Sequence, residues 1–114
     1  MLRTYHSILS LTASMTAVCN AGDLVDFSDT PITTEDQPVK GVAQNPATEV
    51  GLDIALTALG TETVTAVGAI VKGAPLCTAT GGGVRTAVPG TDTNIFAEAL
   101  TAAADGEFVQ ILIR

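Results

Sequence analysis

From Leu9 to Ala17 the chain alternates without a break. Leu9, Leu11, Ala13, Met15 and Ala17 are apolar, and Ser10, Thr12, Ser14 and Thr16 carry hydroxyls. Successive side chains of a strand point to opposite faces, so this pattern specifies a strand with one buried face and not a helix. The N-terminus also carries an early Arg3 and small residues near Ala21, which is how a secretory leader begins and ends. A secretory core, however, is apolar on all sides. A lipoprotein signal fails too, because Val18 occupies the place before Cys19 that needs a small residue. The expectation is a retained N-terminal strand. No apolar run approaches the roughly 18 residues that a membrane-crossing helix requires.

The order of segments is then replayed. Gly22 opens Asp23-Leu24-Val25-Asp26-Phe27, a polar stretch runs from Ser28 to Gln37, and Val39 to Ala43 precedes the Asn45-Pro46 turn and an alternating Gly51 to Leu56. In the second half Thr63 to Val67 stands for the first strand, and Gly73-Ala74-Pro75-Leu76-Cys77 for the segment from Gly22. A Gly-rich loop from Thr80 to Thr93 replaces Ser28 to Gln37. Ile95 to Leu100 and Gly106 to Ile113 close the copy. The reading is all-β: a small β-sandwich or open β-barrel of two repeated four-strand units, about 11–57 and 62–113, in one domain over 11–114 behind an N-terminal arm at 1–10. Ala97 to Ala104 has helix-forming composition but allows one short helix at most. Phe108 to Ile113 is apolar on both faces and predicts a central strand covered from both sides.

With 114 residues the chain suits one domain, and burial of roughly 65% of its unfolded surface needs neither metal nor disulfide. Aromatic residues are only 4% of it, so a glycan platform is poorly supplied. Twelve acidic residues against five basic ones give a charge of −7. Arg3, Lys40, Lys72, Arg85 and Arg114 are too dispersed to neutralise a row of phosphates, which argues against nucleic acid and anionic membranes as partners. One histidine and two cysteines leave no set for a zinc site, a Ser-His-Asp triad or a disulfide framework. No catalytic residue, metal ligand or cofactor is assigned, and Cys19 and Cys77 are read as buried free thiols.

Asp23, Asp26 and Asp29 lack the alternate spacing, glycine and distal glutamate of a calcium loop, and read as a solvated rim. Gly81-Gly82-Gly83-Val84-Arg85 lacks the Gly-Lys-Ser/Thr ending of a phosphate cradle. It reads as a mobile loop that orders against a partner, with Arg85 as its anchor. Tyr5 and His6 read as contacts made by the arm, together with Leu2, Arg3 and Ile8.

Laid out as Val71-Lys72-Gly73-Ala74-Pro75-Leu76 and then Ile95 through Ala104-Asp105-Gly106-Glu107 into Phe108 to Leu112, the cadence resembles the small head-decoration, or capsid cement, proteins of tailed bacteriophages. The resemblance runs from about Leu11 to the end and is clearest over Thr63 to Ile113. It implies a non-enzymatic β-domain on the outer surface of the expanded head, assembled in the host cytoplasm and clamping neighbouring major capsid protein subunits. It further implies a homotrimer in preference to a homodimer. Leu2, Arg3, Tyr5, His6, Ile8 and Arg85 are the expected capsid- or partner-binding residues. The alternative is a secreted or surface-displayed β-module that binds glycan or protein. A small enzyme would instead need a pocket around Asp53, Glu98 or Arg85.

Overall fold

The computed structural model describes residues 5–114. Its elements are β1 (His6–Ser14), β2 (Leu24–Val25), β3 (Gly41–Ala43), β4 (Asp53–Thr65), β5 (Pro75–Thr78), β6 (Val84–Thr86), β7 (Ala97–Ala99) and β8 (Phe108–Ile113). They form one curled, mostly antiparallel sheet in the order β2-β3-β4-β8-β7-β5-β6, with β1 paired to β4 off that path. No described residue is helical. Ala97 to Ala99 is a strand that pairs with both β5 and β8. The all-β expectation therefore holds.

The long β4 carries four Thr with one Val and one Ile, residues whose branched side chains suit a pleated surface. It runs through the boundary expected between the two repeats, so no linker separates them. Its first part pairs with β1 and β3, and its second part with β8. The same main-chain hydrogen bonds then occur in each half. Gly22 N donates to Ala43 O as Gly73 N does to Ala99 O, both at 2.8 Å. Cys19 and Ala47 exchange a reciprocal pair, and so do Ile70 and Ala103. Gly51 N reaches Met15 O as Gly106 N reaches Ala66 O, and Thr16 N meets Asp29 O as Val67 N meets Val84 O. The last of these contacts draws the far end of each half back toward its first strand and curls the sheet.

Two apolar clusters fill the curl. One gathers Val64, Ala66, Ile70, Leu76, Val84, Val109 and Ile111 with Leu24 and Val42. The other gathers Ala13, Met15, Ile54 and Leu56 with Val25 and Ala43. Because Leu24 and Val25, like Val42 and Ala43, are sequence neighbours, β2 and β3 turn one face to each cluster. The expectation for Phe108 to Ile113 is corrected here. The strand is central, between β4 and β7, yet only Val109, Ile111 and Ile113 are buried; Gln110 and Leu112 are half-buried and Phe108 is exposed. Among the described residues, no second layer covers that outer face.

Candidate partner-binding surface

The alternation of β1 appears in its burial only from Leu11 onward: Ala13 and Met15 are buried, while Ser10, Thr12 and Ser14 face out. Upstream the ladder with β4 is irregular. Ser7 stands opposite Gly60, Leu9 opposite Leu59 and Ser10 opposite Thr57, with register shifts on either side of Leu9. Such a bulge re-aims the side chains around it. Ile8 is left 76% exposed and Leu9 44% exposed, beside Leu59 at 39%. Gly60 makes this crossing possible. Its φ is +126° and a Cβ there would sit 2.1 Å from the carbonyl oxygen of His6, so no other residue fits.

The two edges of β1 differ. One is paired with β4 over its whole length. On the other, the turn at Asp26–Thr30 comes against the end of the strand: Ser14 N donates to Asp29 Oδ2, and Thr16 N to Asp29 O. Lys40 Nζ fastens this contact, donating to Asp29 Oδ1 at 2.7 Å and to Thr12 O at 3.1 Å. The lysine bond holds the Asp29 carboxyl below the usual carboxylate range. Beyond Thr12, toward His6, no other strand pairs with that edge among the described residues.

The expected partner-binding residues thus separate into two places. Tyr5, His6 and Ile8 lie together at the exposed start of β1, with Tyr5 and Ile8 well exposed. Leu2 and Arg3 lie outside the described residues. His6 to Ser10, assigned to an arm, are in the sheet. Arg85, in β6, belongs to a different neighbourhood: its guanidinium makes a two-pronged pair with Asp92, 2.8 and 3.0 Å, and its Nε lies 3.5 Å from Glu35 Oε2. The glycine loop before it is tied down as well, with Gly81 N donating to Thr33 O and Ala79 N to Gly83 O. Leu9, Leu59 and Gly60 were missed as site residues. The signal available for them was Ile8-Leu9, two adjacent apolar residues at the point where alternation begins.

Asp36, Cys77 and Asp92 bring ligand-type atoms within 4.8 Å of one another. Each carboxylate already has its donors: Thr93 N and Asn94 N for Asp36, and Arg85 with Val88 N for Asp92. These bonds lower both carboxyl pKa values, and burial raises that of the Cys77 thiol. With these donors in place, Asp36 ties its loop to Thr93 and Asn94, and Asp92 holds Arg85. Asp53, Glu98 and Arg85 do not share a pocket. Asp53 starts β4 opposite Ser14, Glu98 pairs with Arg114, and Arg85 with Asp92. One open recess, of about 360 Å³, is lined by Ala102, Gly106, Glu107 and Phe108. With one carboxylate and no second polar side chain, it has little to fix a ligand's orientation.

No family model and no curated protein matches the chain. Among solved structures it is similar to the head fiber gp8.5 N base of bacteriophage phi29, with a TM-score of 0.73 and 21% sequence identity over 93% of each chain. At this identity the likeness is one of fold, and it extends over nearly the whole of both chains.

Proposed function

We propose that this chain is a structural protein of a bacteriophage head that decorates the outer surface of the expanded shell and clamps neighbouring major capsid protein subunits. The observation that carries this reading is the shared fold: a protein described as a phage head fiber base has the same fold across 93% of its length. The capsid-cement cadence of the second half supports it from a separate direction. The acidic surface fits an outward position, away from packaged nucleic acid. The partner contacts are assigned to the start of β1, through Tyr5, His6 and Ile8, and the protein acts as a homo-oligomer, a trimer in preference to a dimer. Arg85 serves the fold through Asp92. Many weak contacts repeated over a shell stabilise it by mass action, with no catalytic chemistry needed.

The clamp is tested by heating undecorated, expanded heads with and without the purified protein. Decoration should raise the temperature at which the heads rupture, saturating at a fixed ratio to the major capsid protein. An unchanged rupture temperature at saturating protein overturns the clamping role.

A further inference from the structure

We propose that the edge of β4 beyond Thr61 is the dock of the chain's own first residues, with the Arg3 guanidinium paired to the buried Glu62 carboxylate. The inference goes beyond the reading above and does not depend on it, because it assigns Arg3 to the fold and not to a partner.

Glu62 sets the requirement. It is 0% exposed. Its carboxylate accepts from the Thr57 hydroxyl at 3.0 Å and from Thr63 N at 3.2 Å. Neutral donors of this kind do not offset the loss of water around a full charge, which inside a protein calls for a cation. Five lysines and arginines are available. Lys40 is held by Asp29, Arg85 by Asp92 and Arg114 by Glu98. Lys72 is exposed in the turn before Gly73. His6 stands opposite Thr61, so its ring lies on the other face of the sheet from Glu62. Arg3 is the cation that remains.

The ladder leads to the same place. β8 takes one edge of β4 from Gly60 to Thr65, while β1 takes the other, with Ser7 opposite Gly60 and His6 opposite Thr61. Val84 joins that second edge at Ala66. The interval from Glu62 to Thr65 lies between them, and the chain points into it from His6 toward its N-terminus. Continued in the same register, Tyr5 comes opposite Glu62 and Arg3 opposite Val64. Residues opposite one another across a ladder share a face, and Val64, like Glu62, is buried on the inner one. Arg3 is then diagonal to Glu62, within the span of a long side chain. Burial agrees with a neighbour on this edge: on the outer face Thr63 is 1% exposed, although Thr65, two positions along that face, is exposed.

The test is a double-mutant cycle read by urea denaturation of the full chain, with Arg3→Met, Glu62→Gln and both together. Removing one member of a buried ion pair strands the other, so Arg3→Met should lower the folding equilibrium constant by roughly a hundredfold or more. The loss should largely vanish in the Glu62→Gln background. Arg3→Lys, which keeps the charge and loses the fork, should take a milder step and keeps the cycle readable. In Arg3→Met the stranded carboxyl should hold its proton at neutral pH and show the infrared band of a neutral carboxylic acid, which wild type should lack. Lys72→Met, at the exposed cation, should leave both readouts unchanged. Wild-type stability in Arg3→Met, an equally large loss in the Glu62→Gln background, or a neutral carboxyl band already present in wild type overturns the proposal. Loss of head binding by Arg3→Met at unchanged stability would overturn it too, and would return Arg3 to the partner contacts.

Discussion

The hydroxyl of Thr57 donates to Glu62 Oε2 at 3.0 Å, with both residues fully buried, although five positions separate them in one strand. In an unbroken strand they would point to opposite faces. They meet because the phase of β4 slips at the irregular stretch around Ala58, Leu59 and Gly60. Before it, Ile54 and Leu56 serve one core and Thr57 shares the opposite face with its cross-strand partner Val42; after it, Glu62, Val64 and Ala66 take that face. One strand thereby lines two cores, and a buried carboxylate marks the crossing. Gln44 Nε2 donates to the Thr57 hydroxyl at 3.0 Å and links the pair to Ser10 on β1.

Replacing Thr57 with Val keeps the shape and removes the donor. Removing one partner of a buried hydrogen bond leaves the other unsatisfied and costs about 1–3 kcal/mol. Thr57→Val should lower stability by that amount in urea denaturation, and Thr57→Ser should recover most of it. Equal stability of wild type and Thr57→Val would mean that the pair does not contribute.

Gly60→Ala places a Cβ against the His6 carbonyl and forces a side chain into positive φ. Strain of this kind costs on the order of 1–3 kcal/mol. The loss should be local: β1 amides should exchange faster, while those of β5 and β7 remain protected. Uniform loosening of both halves would contradict the assignment of Gly60 to the β1 crossing.

Acid should loosen the molecule at identifiable places. The Asp29 carboxyl is lowered chiefly by Lys40, that of Asp36 by Thr93 N and Asn94 N, and that of Asp92 by Arg85. A group whose folded pKa is depressed gives stability that is present above its unfolded value, about 3.9 for Asp, and lost as pH falls through the folded one. Melting temperature should therefore drop below about pH 4. Asp92→Asn should lower it at neutral pH and flatten the acid slope; a slope unchanged by this substitution would place the acid sensitivity elsewhere.

Filling the main core is a matter of volume. Ile111 is fully buried in the larger cluster, and Ile111→Ala should cost about 2–5 kcal/mol through lost burial and the cavity left behind. Leu112→Ala, on the half-buried face of the same strand, should cost clearly less. Equal losses would mean that β8 is covered on both sides after all.

The sequence patterns that survive in the structure are those carried by side-chain period and by glycine. Alternation marked β1 from Leu11 to Met15, and Gly22 and Gly73 open segments with the same hydrogen bonds. The outer face of β8 was not legible, because Phe108 and Leu112 look the same in sequence whether a second layer covers them or not. The pairing of Arg85 was not legible for a related reason: nothing local announces Asp92 as its partner. The candidate surface was half legible. Tyr5, His6 and Ile8 were readable from position, but Leu9, Leu59 and Gly60 join them only through the bulge, a feature of pairing between strands some fifty positions apart.

Co-sedimentation of the purified protein with undecorated, expanded phage heads tests the central claim most directly. The account expects saturable binding at a simple ratio to the major capsid protein, weakened by Ile8→Lys. Failure of the folded wild-type protein to pellet with heads, at concentrations where it is fully assembled, would contradict it.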